Sequence, residues 1–236
     1  MRKINHIGII LDGNRRYAKA HGLQVHEGHD KGSENIRLIL NWATQLKGAE
    51  KQRYGFNELS LYIFSMQNFK RSAFEKQKLM ALFEKAFNEI LEMDAIKKAE
   101  VQVNFYGRIE LLPQRVQAAI LKARTATFHN KKMKLKFCIA YGGREEIIDG
   151  INKLIKSGRT KPITVAEFSK YLYGFSEPEI IIRTGMKDGC RTSNFLVWHS
   201  TYSEWFFLDK TWPEFTPEDF KQVIDDYRKR NRRLGA

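Results

Sequence analysis

The sequence predicts an α/β domain with a mostly parallel sheet and helices outside it. Three observations carry that prediction. Five or six short apolar runs recur along the chain, separated by stretches whose apolar residues fall at helical spacing. The leading runs, HIGIIL at 6–11 and LSLYIF at 59–64, are nearly continuous in apolar residues, as strands buried on both faces are. Several runs end in polar or glycine turns that open a following helix. No repeat, low-complexity stretch or Pro/Gly/Ser-rich linker divides residues 1–236, so the reading is one domain, long enough to bury a full core.

The net charge of +14, from 41 Lys and Arg against 27 Asp and Glu, implies an anionic partner. Nucleic acid, a phosphorylated small molecule and an acidic membrane surface all qualify. No helix-turn-helix, zinc-finger or RNA-binding signature is present, so nucleic acid is not expected. No apolar run approaches the roughly 20 residues needed to span a bilayer, and no signal peptide is expected. Cys138 and Cys190 are too few for a disulfide framework, which points to a reducing cytoplasm, and neither has metal-ligand spacing around it.

The first element is a strand ending at Leu11. Asp12-Gly13-Asn14 is a turn signal, and from Arg15 the chain is helix-compatible. Asp12 then sits at the carboxyl mouth of a strand, where a metal ligand or a base is useful. Asn14, Arg15 and Arg16 surround it with donors suited to a phosphate. A plain turn followed by a solvated helix face explains the same residues.

A helix over 17–20 breaks at Gly22. Gly28, His29 and Gly32 open a second helix over 33–45, with Ile36, Ile39, Leu40 and Ala43 on one face. Residues 47–57 read as a polar loop. The strand at 59–64 ends in Ser65-Met66-Gln67-Asn68-Phe69-Lys70-Arg71, again at a carboxyl mouth. A long amphipathic helix over 74–98 carries Leu79, Leu82, Phe83, Phe87, Ile90 and Leu91. A third strand, Val101–Tyr106, ends at Gly107-Arg108, and a helix follows over 111–128. A fourth strand at 134–140 leads into Tyr141-Gly142-Gly143-Arg144, where the glycines permit a tight turn and close approach of the backbone to a substrate. Within 162–173 a short helix starts at Thr164, with Glu167 completing a capping box. A fifth strand at 179–182 follows Pro178, and a basic helix over 220–233 closes the chain.

The stretch HIGIILDGNRRYAK resembles the first signature of the cis-prenyltransferases, the undecaprenyl diphosphate synthase family. Further elements recur in family order. Gly28, His29 and Gly32 match G-H-x-x-G. Ser65, Asn68 and Arg71 match L-Y-x-F-S-x-E-N-W-x-R, with Gln67 and Phe69 in place of Glu and Trp. Residues 141–144 match Y-G-G-R. Residues 183–198 match R-T-x-G-E-x-R-x-S-N-F-L-x-W, with two extra residues between the arginines. Residues 202–207 resemble Y-x-E-L-x-F, residues 212–215 match W-P-x-F, and Arg233 with Gly235 fits a terminal R-x-G. The resemblance runs from about His6 to Gly235.

The resemblance implies a six-stranded sheet and a hydrophobic tunnel walled by helices 33–45 and 74–98. It implies condensation of isopentenyl diphosphate with an allylic prenyl diphosphate primer to give a polyprenyl diphosphate. Asp12 is then catalytic and a Mg²⁺ ligand, and Glu204 is the second carboxylate associated with the metal. Gly13, Asn14, Arg15, Arg16 and His29 hold the primer diphosphate, while Arg183, Arg191 and Ser193 grip isopentenyl diphosphate. Asn68 joins the catalytic set, and with Ser65 orients the reacting ends. Phe69 and Arg71 contact substrate, and Arg233 reaches a diphosphate site, often the partner subunit's. A homodimer in the cytoplasm, peripheral at a membrane, follows by the same resemblance. Four departures leave another reading open. Val25 replaces an Arg, to which His26 is the nearest substitute, Gln67 and Phe69 differ, and loop 186–190 is remodelled. They motivate irregular coupling of two allylic units, or prenyl transfer to another acceptor.

Overall fold

A computed structural model of the chain describes residues 3–187 and 189–230. Its centre is β1 (His6–Ile10), in which every residue is buried. Then come α1 (Asn14–Ala20), α2 (Val25–Gln45), α3 (Gly48–Tyr54), β2 (Glu58–Ser65), α4 (Ala73–Glu89), α5 (Asp94–Lys97) and β3 (Val101–Tyr106). The second half adds α6 (Gln114–Thr127), β4 (Met133–Tyr141), α7 (Gly143–Lys156), α8 (Val165–Ser169), β5 (Ile180–Arg183), β6 (Glu204–Phe207) and α9 (Pro217–Lys229). The strands form one six-stranded sheet in the order β3-β4-β2-β1-β5-β6, and every neighbouring pair is parallel.

This order positions the chemistry. From β1 the chain crosses to β2 on one side and only later returns to β5 on the other. The strand order therefore reverses at β1, and a crevice opens beyond the carboxyl ends. Register aligns those ends, with Ile10 opposite both Tyr62 and Arg183. The segments beginning at Asp12, Ser65 and Arg183 consequently start side by side.

The two sheet faces differ in size. One carries the main core, where Ile7, Ile9, Leu59, Leu61, Val103, Leu135 and Phe137 meet Phe83 and Phe87 of α4. The other carries a smaller cluster of Ile10, Tyr62, Cys138, Tyr141, Ile181, Phe195 and Leu196. Beyond it lies a buried polar group, in which His6 bonds Ser60 Oγ at 2.7 Å and Lys136 Nζ donates to Glu58 Oε2 at 2.5 Å.

Several element boundaries differ from the sequence reading. The second helix begins at Val25, eight residues early, because Gln24 and Glu27 form a capping box. Its glycines are thus inside the helix rather than at its start. Residues 47–57 hold α3, whose side chains are not buried but whose Arg53 and Tyr54 reach Asp225 of α9. The expected helix over 74–98 is broken: α4 ends at Glu89, a 3₁₀ turn spans Ile90–Glu92, and α5 follows. The break turns Ile90, Ala95 and Ile96 into the core. Pro113 delays α6 to Gln114. The fifth strand runs one residue further than expected, so Arg183 itself is a buried sheet residue. Thr164 and Glu167 form the expected capping box.

Candidate active site

The turn after β1 is held by its neighbours in space. Gly13 adopts φ +106°, which an L side chain rarely tolerates, and a Cβ there would lie 2.7 Å from Thr211 Cβ. The Asp12 carbonyl accepts from Trp212 N at 2.9 Å and from Thr184 Oγ1 at 2.8 Å. Its carboxylate accepts from Gly13 N at 2.7 Å and Arg16 Nη2 at 3.2 Å on one oxygen, and from Arg183 Nη2 at 2.9 Å on the other. Arg183 Nη1 also donates to Ser193 Oγ and to the Arg191 carbonyl, both at 2.5 Å.

Helix α2 passes directly over this turn. A Cβ at Gly28 would lie 2.3 Å from the Asn14 carbonyl, and one at Gly32 would lie 2.3 Å from Asn14 Oδ1. Positions i and i+4 share one helix face, so the G-H-x-x-G spacing is a contact surface for Asn14. The 3₁₀ turn Trp212–Glu214 clamps the arrangement: Trp212 Nε1 donates to the Gly32 carbonyl at 2.8 Å, and Asn35 Nδ2 donates to the Trp212 carbonyl at 2.6 Å. Asn14 Oδ1 is buried without a protein hydrogen-bond partner.

His29 stands between α2 and the start of α4. Its Nε2 is 3.8 Å from Glu75 Oε1, which is itself 3.1 Å from Arg71 Nη1. Burial, and then the nearby Arg71 charge, pull the imidazole pKa down to about 4, so His29 is neutral at pH 7. Glu75 is a site residue that sequence reasoning missed. A helix-start Glu next to Arg71 carries no signal distinguishing it from a solvated one.

Two polar cavities meet here. One, of about 690 Å³, is lined by Gly13, Arg15, Arg16, Lys19 and Val25. The other, of about 510 Å³, is lined by Ser65, Gln67, Asn68, Arg183 and Ser193. Asp12, Asn14, His29 and Arg71 line both. Asn68 Oδ1 accepts the Ser65 N–H at 2.9 Å, which leaves its amide nitrogen as the donor toward the cavity. Ser193, Asn194 and Leu196 have φ of +47°, +64° and +44°. This strained turn is pinned by Gly143 N on the Asn194 carbonyl at 2.7 Å and Arg144 N on Asn194 Oδ1 at 2.9 Å. A Cβ at Gly142 would lie 2.6 Å from Asn194 Nδ2 and one at Gly143 would lie 2.8 Å from Val197 N, so these glycines make room for the 194–197 segment rather than for a substrate.

Two apolar spaces lead away from His29. A narrow one of about 80 Å³ runs between α2, α4 and the sheet, past Leu40, Ile63, Phe83, Phe87 and Phe137. A surface groove of about 390 Å³ lies between the first turns of α2 and α4, along Val25, Phe74, Leu79 and Leu82. Ile63 faces the narrow space, Phe105 packs on Phe87 and Phe137, and Tyr106 faces the opposite side against Phe175.

Other predicted residues lie elsewhere. Phe69 packs edge-on against Phe64 at 5.0 Å and lines neither polar cavity. The Arg191 side chain is exposed and lines neither; its backbone carbonyl is what meets Arg183. Glu204 opens β6 opposite Ile180, at the far end of β5 from Asp12, and accepts from Arg230 Nη1 at 2.8 Å. Within one chain it cannot share a metal with Asp12, because strand register separates them. His26 lines the surface groove rather than the cavity of Asp12. Arg233 lies outside the described residues.

Among the described residues no group of three or more His, Cys, Asp or Glu could hold a metal by itself. One carboxylate with a nearby unpartnered amide oxygen fits a hard cation that keeps water and binds substrate phosphates. Also among the described residues, no helix is long and apolar enough to cross a membrane.

The model of a prenyltransferase family described as undecaprenyl diphosphate synthase matches residues 10–235. The chain is 42% identical over 239 residues to the tritrans,polycis-undecaprenyl-diphosphate synthase (geranylgeranyl-diphosphate specific) of Methanocaldococcus jannaschii, covering 98% of this chain and 82% of the relative. The protein of the same description from Methanopyrus kandleri is 40% identical over 237 residues, covering 98% and 84%. Among solved structures, lavandulyl diphosphate synthase from Lavandula x intermedia in complex with dimethylallyl diphosphate superposes with a TM-score of 0.90 at 31% identity, over 99% of each chain. A probable undecaprenyl diphosphate synthase from Campylobacter jejuni superposes at 0.80 with 24% identity over the whole of both chains, a likeness of fold.

Proposed function

This chain belongs to the undecaprenyl diphosphate synthase family and is a prenyl diphosphate synthase, and from that premise we propose that its two polar cavities hold the two diphosphates of one condensation. The carrying observation is that they meet along Asp12, Asn14, His29 and Arg71, while each has cations of its own. The larger cavity takes the allylic primer and the smaller takes isopentenyl diphosphate. Residues 1–236 act as one catalytic domain.

In this reading the primer's C–O bond breaks and its electron pair leaves with the diphosphate. The isopentenyl double bond attacks the allylic carbon, and a proton passes from the isopentenyl unit to the released diphosphate. Arg15 and Arg16 hold the primer diphosphate, and the neutral His29 sets a hydrogen-bonding nitrogen at the seam. Arg183 and Ser193 hold isopentenyl diphosphate, with the Asn68 amide directed between the substrates. A Mg²⁺ held by Asp12, with Asn14 Oδ1 nearby, supplies positive charge against the leaving group when bound.

The primer is geranylgeranyl diphosphate, the substrate in the relatives' description. The groove and the narrow apolar space opening at His29 suit a long hydrocarbon tail. A homodimer forms over α7, where Ile148, Ile151 and Ile155 are 51%, 38% and 68% exposed along one face. The net charge of +14 suits cytoplasmic work beside an anionic membrane that receives the product.

The test is incorporation of labelled isopentenyl diphosphate with Mg²⁺ and C5, C10, C15 or C20 allylic diphosphates, with Asp12→Ala as control. A lengthened product from the C20 primer, absent in the variant, supports the reading. Coupling of dimethylallyl diphosphate alone, without isopentenyl label, overturns it in favour of irregular coupling. The uncharged Gln67 in the smaller cavity favours that second reading.

A further inference from the structure

We propose that Lys19 binds the terminal phosphate of the allylic diphosphate and sets the affinity of the enzyme for its primer. This rests on the assignment of the larger cavity to the primer. Four cationic residues line that cavity: Arg15, Arg16, Lys19 and Arg71. Two are already occupied, Arg16 by Asp12 at 3.2 Å and Arg71 by Glu75 at 3.1 Å. Arg15 and Lys19 make no ion pair among the described residues. Both are exposed, and they stand four residues apart on α1, so two like charges face the same space. An arrangement that internal carboxylates leave uncompensated is one that an anionic ligand completes.

Position along α1 distinguishes the two. Lys19 lies just over one helical turn, about 6 Å, beyond Arg15. Like Arg15 it lines the larger cavity and not the smaller, but it stands further along α1 from Asp12, which lies on the seam shared by both cavities, and the reacting carbon must sit toward that seam. Lys19 therefore meets the phosphate remote from the bond that breaks. Across the cavity Leu23, Gln24 and Val25 contribute no charge. An ammonium on a flexible stem suits terminal phosphate oxygens, which demand charge more than a fixed planar geometry.

The experiment compares wild type, Lys19→Ala and Lys19→Arg. Losing one charge-assisted bond raises KM for the allylic primer about 10-fold in Lys19→Ala. The KM for isopentenyl diphosphate stays within about twofold, and Lys19→Arg recovers most of the loss. Calorimetric titration with inorganic pyrophosphate, which needs no turnover, shows the same weakening. Unchanged primer KM and pyrophosphate affinity overturn the proposal, as does an equal rise in both KM values. If wild type extends no allylic diphosphate, the assigned reaction fails, and the pyrophosphate titration still decides whether Lys19 holds the anion.

Discussion

Arg183 donates from Nη2 to Oδ2 of Asp12 at 2.9 Å, joining the ends of β5 and β1 across 171 residues of sequence. The other Asp12 oxygen accepts from Arg16, so one carboxylate links a cation of each cavity. In the proposed reading, a diphosphate gripped by either arginine would compete with Asp12 for it.

Asp12→Asn keeps the size and one acceptor of the side chain but removes its charge. Turnover is expected to fall about 10²- to 10³-fold, the usual scale for losing a group that stabilises developing charge. Steady-state kinetics beside a melting curve check it. A variant that stays folded and retains a tenth of wild-type activity contradicts the role given to Asp12.

Ser193→Ala removes a hydroxyl that accepts from Arg183 at 2.5 Å and lines only the smaller cavity. KM for isopentenyl diphosphate should rise about 10-fold or more, the scale of one hydrogen bond to a charged group, with primer KM unchanged. A rise confined to the primer would exchange the two cavity assignments.

Gly32→Ala places a methyl 2.3 Å from Asn14 Oδ1 and 3.1 Å from Trp212 Cδ1. Asn14 must leave its position, and overpacking of this kind costs about 1–3 kcal/mol. Activity should fall much further than stability does. Gly22→Ala is the control: φ there is +67° with nothing within 4 Å, so only a modest backbone cost of about 1 kcal/mol is expected, with activity kept. Equal activity of the two variants would remove Asn14 from the site.

Burial lowers the pKa of His6 to about 4, with the Lys136 charge adding to the effect, and His29 falls to the same value. Between pH 6.5 and 4 the unfolded chain binds protons on both that the folded chain does not. Stability is therefore lost as pH falls through this window, by about 1.4 kcal/mol per pH unit for each histidine. Urea unfolding at pH 7.5, 6 and 5 reads the slope, and His29→Asn should reduce it by about half. A flat profile would mean that neither imidazole is held neutral.

Ile151→Glu puts a charge in the middle of the exposed isoleucine face of α7. If that face pairs two copies, sedimentation should show a monomer with unchanged circular dichroism. A persistent dimer would place the contact elsewhere.

The strands, the Asp12 turn and the order of motifs were legible because they are local. An apolar run reads as a buried strand, and a turn residue is itself the signal. The site residues Asp12, Asn14, Arg16, His29, Ser65, Asn68, Arg183 and Ser193 all converge because parallel strands end on one edge, so each strand-end motif was found in its own segment. The side to which Phe69 turns was not legible, because a strand-end residue can face cavity or core, and packing against Phe64 decides. The separation of Glu204 from Asp12 within one chain was not legible, because it depends on the β5–β6 register. Glu75 and Thr211 were missed because their neighbours, His29 and Gly13, lie far off in sequence.

By itself, the sequence determined an alternating parallel α/β chain, a cationic character and the chemistry-bearing turns. Only the tertiary structure decided that Gly28 and Gly32 press α2 onto Asn14, that Lys19 rather than His26 shares the cavity of Asp12, and that Ile63 alone of three candidates faces the narrow apolar space. The physical reason is reach. Periodicity and turn chemistry act over a few residues, whereas register, helix approach and the facing of side chains are settled by which surfaces exclude water together across the whole chain.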